Sequence, residues 1–205
     1  MRRHQSEVTD PEAIRRILDS TSIGRLATIG KDGSPYVTPV NFVRLEENLY
    51  FHCAPKGEKL DNLARDARVC FEVDIPLAYF DFSFDATRPV CHLHQLYHCV
   101  IVRGHAAVVE DDALKIEALN ALVRKHEPGR DLPPVTRDMP GFKACRVVEI
   151  RPRSLTAKSD LLQKAPQDLR RRFADYLLER NRPGDRQTVQ AMGFRVNTAD
   201  PRPAT

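Results

Sequence analysis

Two short runs carry residue types that could act together chemically, namely His52-Cys53 and Gly57-Glu58-Lys59. Glycine allows the backbone to approach a ligand closely, and Lys59 lies in the first turn of a predicted helix. Cations and free amide groups at a helix start are what a phosphate requires, so this run predicts an anion site. Spacing alone favours the plainer interpretation of an ordinary surface lysine with acidic neighbours.

His52 alternates with Phe51 on a predicted strand, and a histidine there can be structural or functional. The functional interpretation is a contact to a ligand that includes proton donation, because histidine titrates near neutral pH. Cys53 is interpreted as a packed strand thiol, since nothing in the sequence indicates a lowered pKa.

A second group combines Cys91, His92 and His94 with the pair His98-Cys99. Zinc requires four nitrogen or sulfur ligands, and this spacing matches no known finger or helical zinc motif. His92 and His94 fall on one face of an extended segment, so a two-ligand or haem contact is one interpretation. The other is a histidine-rich loop that covers a cleft, and we expect no metal site.

The elements that must position these residues are mostly strands. Turn signals and β-rich runs predict six strands, at residues 24–30, 36–44, 49–53, 68–73, 97–109 and 144–150. Apolar spacing and capping residues predict helices at residues 10–20, 57–66 and 111–126 and one that Pro166 begins. Residues 75–96 are predicted to be a loop, and those after about 183 to be weakly ordered. Pro39 cannot donate to a strand ladder and predicts an edge or a bulge. Short strands with tight turns favour a small antiparallel barrel or sandwich.

Composition limits the classes of function. The five cysteines include no CxxC pair, no export signal is recognised and no apolar run could span a membrane, so we expect a cytoplasmic protein with reduced thiols. The net charge is +4, and the basic excess lies in residues 151–205. We interpret that excess as a solvated helix and tail rather than a nucleic-acid site, since no recognition motif accompanies Arg170–Arg172.

The motif order from Gly24 to Val73 resembles the FMN-binding split-barrel superfamily of pyridoxamine-phosphate-oxidase-like flavoproteins. The matching pieces are the RLATI strand, the Asp32–Pro35 hairpin, PVNFV, LYFHC, Lys59 and the ARV-x-F strand. The run YFHCA…GEKLD is especially similar to the nitroimidazole-resistance (Nim) family. Tyr97–Val109 resembles the family's long strand, with Cys99 where serine is usual, and RVVEIRPRSLTAK resembles its closing strand. The resemblance covers about residues 10–158.

The resemblance implies a mainly β fold: a six-stranded antiparallel split β-barrel with flanking helices, assembled as a homodimer. It implies a domain at residues 1–158, which leaves residues 159–205 as a basic helical extension. It also implies an FMN site at the dimer interface, with these residues carried over by position: Thr38, Pro39, Val40 and Asn41 along the ring and ribityl chain, His52 and Cys53 at the phosphate and ring edge, Glu58 and Lys59 at the phosphate, and Cys99 from the second subunit. Glu58 stands where many members have a cation.

The function implied is an FMN-dependent oxidoreductase that reduces small electron-poor compounds such as nitroimidazoles, with His52 as the candidate catalytic residue. The alternative is a non-catalytic protein of the same fold that holds flavin or haem for storage or sensing. Pyridoxamine-phosphate oxidase activity itself is disfavoured, because the substrate-phosphate arginines expected near that family's C-terminus have no match here. The expected partners are a second copy of the chain and a small-molecule substrate, without nucleic acid or membrane.

Overall fold

A computed structural model describes residues 4–196 of the protein, which form two compact units. The barrel unit contains residues 10–73 and 100–156, and the helical unit contains residues 4–9, 74–99 and 157–196. The strands are β1 (Glu7–Val8), β2 (Ile23–Ile29), β3 (Pro35–Leu45), β4 (Asn48–Cys53), β5 (Arg68–Phe80), β6 (His94–Val108) and β7 (Arg146–Asp160). The α-helices are α1 (Pro11–Ser20), α2 (Glu58–Arg65), α3 (Asp112–His126), α4 (Gln167–Arg180) and α5 (Asp185–Ala191).

The strands of the barrel unit follow the order β7-β4-β3-β2-β5-β6, and β7 also pairs with β6, so the sheet closes into a ring. The predicted mixed β and α class and the antiparallel barrel are therefore confirmed. The prediction of six strands is one too few, because the two-residue strand β1 pairs with β7 in the helical unit. Two residues are too short to show the alternation on which a strand prediction depends.

Large apolar side chains from alternate strand positions fill the ring. Leu26, Phe42, Phe51 and Phe71 are fully buried, and the Phe42 and Phe71 rings meet edge to face with centroids 5.0 Å apart. Gly24 is required beneath Phe71, since a Cβ atom at this glycine would lie 2.0 Å from the Phe71 ring. Inward aromatic residues therefore determine which face of each strand is turned outward.

Pro39 lies in β3 at a position that is paired on one side. It stands opposite Arg25 of β2, while the pairing of β3 with β4 begins only at Phe42, opposite Phe51. The predicted edge is thus a local one, where β4 has not yet joined the strand. The missing N–H of proline breaks no ladder there.

The helical unit corrects two predictions. Residues 75–96 were predicted to be a loop, but β5 continues to Phe80 and β6 begins at His94. The weakly ordered tail predicted after residue 183 instead contains α5, and its last residues, 197–205, lie outside the described part. In both segments the apolar side chains are buried in one core, whose members include Leu77, Phe80, Leu96, Phe173, Leu177 and Val189. The boundary predicted at residue 158 stays a prediction.

Candidate functional site

The outer face of the barrel unit is covered by α3 over part of its width. Val43, Tyr50 and Val147 of the sheet pack against the apolar face of this helix. Asn41 and His52 are exposed on the same outer face, since they alternate with the inward Phe42 and Phe51. The exposed polar surface of Asn41 and His52 therefore lies next to the part of the sheet that α3 covers.

His126, the last residue of α3, holds the side chain of Asn41. Its Nδ1 lies 3.5 Å from Asn41 Nδ2, and its Nε2 lies 3.3 Å from the carbonyl oxygen of Phe42. The tautomer with hydrogen on Nε2 satisfies both contacts, because Nε2 then donates and Nδ1 accepts. Asn41 Nδ2 also donates to Ser22 O at 3.3 Å, whereas Asn41 Oδ1 has no partner within residues 4–196 and remains for a ligand.

An exposed apolar strip runs along the outer face of β2 and β3. Ile23 and Val37 are 51% and 57% exposed, and Pro39 is exposed between them. Ile23 stands directly opposite Asn41 in the register. Arg25 stands opposite Pro39, so a charged side chain adjoins the strip. The three exposed apolar side chains are candidates for contact with a ligand or a second chain.

The start of α2 forms the second part of the site. Gly57 precedes the helix with a φ of 143°, a conformation that disfavours any residue with a Cβ atom. No side chain caps the helix, and the amides of Glu58 and Lys59 have no acceptor within the part of the chain that the structure describes. These groups make an anion cradle of the kind that a phosphate occupies.

Two cations lie close to Cys53 at the end of β4. Lys59 is half-buried in the first turn of α2, and Arg146 stands opposite Cys53 in the pairing of β4 with β7. Burial raises the pKa of the Cys53 thiol above its usual value, while the positive charges of Lys59 and Arg146 oppose that shift. Cys53 is therefore a protonated strand thiol at neutral pH, and the charges beside it are available for an anion.

The predicted site residues fall into three places. On the sheet, the outer face carries Pro39, Asn41 and His52, and the opposite side of the strands carries Thr38, Val40 and Cys53. Glu58 and Lys59 begin α2. Cys99 lies half-buried on β6 in the helical unit. Their roles stay predictions. Sequence reasoning missed Arg146 and His126, which strand pairing and helix packing bring to the site and which no local motif marks.

Lys125, next to His126 on α3, is a half-buried lysine that forms no ion pair with a carboxylate among the described residues. Its Nζ donates to Leu18 O at 3.2 Å and lies 3.8 Å from the centre of the Phe42 ring. Burial lowers the pKa of Lys125 to about 8; Asp19 opposes this shift and Arg44 adds to it. The charged form is thus less stable in the folded protein than in water.

This lysine predicts a pH-dependent stability. Between about pH 8 and the ordinary lysine pKa of 10.5, the unfolded chain binds more protons than the folded one, so the free energy of unfolding should rise with pH. We expect Lys125→Met to remove that part of the rise and to be more stable than the wild type at neutral pH. Urea unfolding from pH 7 to 10.5 measures it, with the exposed Lys143→Met as control. An unchanged slope in Lys125→Met would contradict the prediction.

The histidine-rich segment does not assemble into a metal site in the described range. No group of three or more histidine, cysteine, aspartate or glutamate side chains in residues 4–196 could hold a metal ion. His98 Nδ1 lies 2.6 Å from Ser159 Oγ, and burial lowers the pKa of His98. His94 Nδ1 lies 2.8 Å from the carbonyl oxygen of His92, and its Nε2 lies 3.9 Å from Asp160.

Within residues 4–196, no helix combines the length and the hydropathy needed to cross a bilayer.

Several solved structures share the fold. A candidate 5-nitroimidazole antibiotic resistance protein from Bacteroides thetaiotaomicron is 22% identical, with a TM-score of 0.63 over 75% of this chain and 86% of that one. The flavocytochrome Anf3 from Azotobacter vinelandii is 24% identical, with a TM-score of 0.66 over 78% and 72%. An FAD- and haem-binding protein from Mycobacterium smegmatis is 23% identical, with a TM-score of 0.62 over 76% and 73%. At these identities the likeness shows the fold alone.

The comparison with curated protein sequences finds no match. The model of one protein family, described as pyridoxamine 5'-phosphate oxidase, matches residues 10–159, which is well over half of the chain. That range includes the anion cradle at α2, the polar outer face and the exposed apolar strip. The protein therefore belongs to the pyridoxamine 5'-phosphate oxidase family, whose fold is a flavin-binding one.

Proposed function

We propose that the protein is a homodimeric FMN-binding oxidoreductase that reduces small electron-poor compounds such as nitroimidazoles. The observation that carries the proposal is the uncapped start of α2, which offers free amides and Lys59, with Arg146 opposite the neighbouring Cys53 in the register of β4 and β7. When bound, FMN supplies the electron-transfer chemistry. The protein supplies binding, orientation and protons.

The residues present fit this cofactor in its two chemically distinct parts. A phosphate carries nearly two negative charges and is stabilised by Lys59, Arg146 and the helix start. Glu58 stands where many family members have a cation, so Lys59 and Arg146, which both act on Cys53, are the cations proposed for the phosphate. A flat ring system suits the exposed strip of Ile23, Val37 and Pro39, with the free Oδ1 of Asn41 at its edge.

The proposed dimer follows from the same strip. When one face of the flat flavin ring system lies on the strip, its other face is open to water. The exposed Ile23 and Val37 extend that open surface. A second copy of the chain would cover both, and Cys99 is the residue proposed to reach the partner's flavin. Sedimentation at micromolar concentration, with and without FMN, tests this assembly; a monomer under both conditions would reject it.

The first experiment is an absorption spectrum of the purified protein before and after addition of FMN. Flavin bands that remain with the protein through gel filtration support the proposal. A Soret band would favour haem instead. Reduction of the bound flavin by a nicotinamide and its reoxidation by metronidazole then distinguish a reductase from a storage or sensing protein, which would hold flavin without turnover.

Lys59→Met is expected to weaken FMN binding by about ten- to a hundredfold, because a charge-assisted hydrogen bond contributes about 1.5–3 kcal/mol. Glu58→Arg should act in the opposite direction and tighten binding several-fold at low salt. Titration followed by quenching of flavin fluorescence measures both dissociation constants. Lys31→Met and Glu117→Arg, at exposed positions elsewhere, are the matched controls. Equal affinities of Lys59→Met and the wild type would place the phosphate elsewhere.

His52→Ala is expected to lower the rate of nitro-group reduction by about a hundredfold while leaving FMN affinity within about twofold. The proposed role of His52 is to donate one of the protons that nitro reduction consumes, and general acid catalysis contributes at least this factor. Single-turnover oxidation of the reduced flavin by metronidazole measures the rate, with His105→Ala as control. Full turnover in His52→Ala would exclude the role.

A further inference from the structure

The helical unit contains a cleft of about 670 Å³ that is lined by both apolar and polar side chains. Its accessible apolar lining includes Leu162, Ala165 and Pro166, and its polar lining includes His94, Tyr97 and Lys158. None of these residues belongs to the FMN site proposed above. A cleft with both kinds of lining suits a ligand that has an apolar body and a polar head.

The polar lining of the cleft contains one hydrogen-bonded pair, Tyr97 and Lys158. Lys158 Nζ donates to the Tyr97 hydroxyl at 2.5 Å and lies 5.1 Å from the centre of the ring. Tyr97 stands on β6 and Lys158 on β7, so both side chains project from regular strands rather than from a loop. Groups held on strands keep their geometry without a ligand, which reduces the cost of binding one.

The hydrogen bonds of this pair leave donors available. An ammonium group has three donors, and the Tyr97 hydroxyl accepts one of them. The phenolic hydrogen then needs an acceptor of its own, and none is present within residues 4–196. No carboxylate of that range forms an ion pair with Lys158. The pair therefore offers ammonium and phenol hydrogens to an anion.

The remaining charges of the cleft agree with an anionic ligand. Arg88 and the exposed Lys164 add positive charge to its lining. Arg88 is paired with Asp85 at 3.1 Å, and the one lining carboxylate, Asp160, lies 3.9 Å from His94. Lys158 and the exposed Lys164 are thus the lining cations that form no ion pair with a carboxylate among the described residues, and Glu7 of β1 stands opposite Lys158 in the register.

We propose that this cleft binds a small amphipathic carboxylate, with an aromatic or hydrocarbon body against Leu162 and Pro166 and its carboxylate on Lys158 and Tyr97. The carboxylate accepts from Nζ and from the phenol, which completes the hydrogen bonds of both groups. An apolar lining lowers the local dielectric constant, which strengthens hydrogen bonds of this kind. The site is independent of flavin and adds a second ligand to the protein.

Calorimetric titration of the full-length protein with benzoate, without added FMN, tests the proposal. We expect measurable binding to the wild type and weaker binding of benzamide, which has the same shape without the charge. Lys158→Met should weaken benzoate binding by at least about tenfold and Tyr97→Phe by about fivefold. Lys143→Met, at an exposed position of the barrel unit, should bind as the wild type does.

Thermal unfolding of each variant shows whether it is folded, and Tyr97→Phe, which removes a single oxygen atom, keeps the test decisive if Lys158→Met does not fold. Absence of benzoate binding to the wild type would overturn the proposal. So would equal benzoate affinity in Tyr97→Phe, in Lys158→Met and in the wild type. Because flavin is absent from the titration, either result leaves the proposed FMN site unaffected.

Discussion

Arg180→Ala is expected to lower the free energy of unfolding by about 3–5 kcal/mol, because it leaves buried charge without a partner. The Arg180 side chain is 10% exposed, and that of Asp185 is 1% exposed. Arg180 Nη1 lies 2.5 Å from Asp81 Oδ2, and Arg180 Nε lies 2.9 Å from Asp185 Oδ2. The hydrogen bond to Asp185 is the main reason why the pKa of Arg180 is raised above its ordinary value.

This network connects three elements of the helical unit. Arg180 ends α4, Asp185 begins α5, and Asp81 follows β5 directly. Tyr176 of α4 adds a hydroxyl that donates to Asp81 at 3.0 Å. Asp185 also accepts from the Arg182 amide at 2.8 Å, so its carboxylate is well satisfied as long as Arg180 is present. Without the guanidinium, both carboxylates keep their desolvation cost and lose their counter-charge.

Urea unfolding followed by circular dichroism at pH 7 measures the effect of Arg180→Ala. Arg137→Ala is the matched control, because Arg137 is 71% exposed and its ion pair with Asp112 should contribute at most about 1 kcal/mol. Arg180→Ala should also expose α5 to proteolysis before the barrel unit. A loss no larger than that of the control would show that the network contributes little to stability.

Gly104→Ala is expected to destabilise the barrel by about 3 kcal/mol or more. A Cβ atom at residue 104 would lie 2.1 Å from the carbonyl oxygen of Arg151 and 3.1 Å from the Cα atom of Pro152. Overpacking against side chains typically costs about 1–3 kcal/mol, and backbone atoms of a paired strand have less freedom to move aside. β6 and β7 would have to separate where their pairing closes the ring.

The measurement for Gly104→Ala is again urea unfolding, together with the yield of folded protein. Arg103→Ala serves as the control, since it places alanine on the same strand at an exposed neighbouring position, where about 0.5 kcal/mol or less is expected. An unfolding curve for Gly104→Ala that matches the control would contradict the prediction. It would mean that a Cβ atom at residue 104 lies further than 2.1 Å from the carbonyl oxygen of Arg151.

The elements that were predicted well depend on bonds between near neighbours in the chain. Asp10 accepts from the amides of Glu12 and Ala13 at 3.1 and 3.2 Å, and this cap starts α1 where the sequence placed it. Asp111 accepts from the Leu114 amide at 2.7 Å and starts α3 in the same way. Such signals lie within three residues, so no knowledge of the fold is needed to find them.

The errors lie where distant packing decides the local structure. Nothing between residues 75 and 80 alternates clearly, yet Leu77, Ala78 and Phe80 become buried strand residues because Phe173 and Leu177 pack against them. α5 has a polar sequence with one fully buried valine, Val189, and depends on the same core. Burial of this kind outweighs weak local preference.

The candidate site shows the same division. Sequence alone predicted the start of α2 and marked it as a candidate anion site, because Gly57, Glu58 and Lys59 are adjacent and their chemistry is local, and it indicated the family through the order of its motifs. Only the tertiary structure decided that Arg146 stands beside Cys53 and that His126 holds Asn41. Strand register and helix packing bring residues together from distant points of the chain, and the free energy that selects them comes from burying Phe42, Phe51 and Phe71 inside the ring rather than from any signal at the site itself.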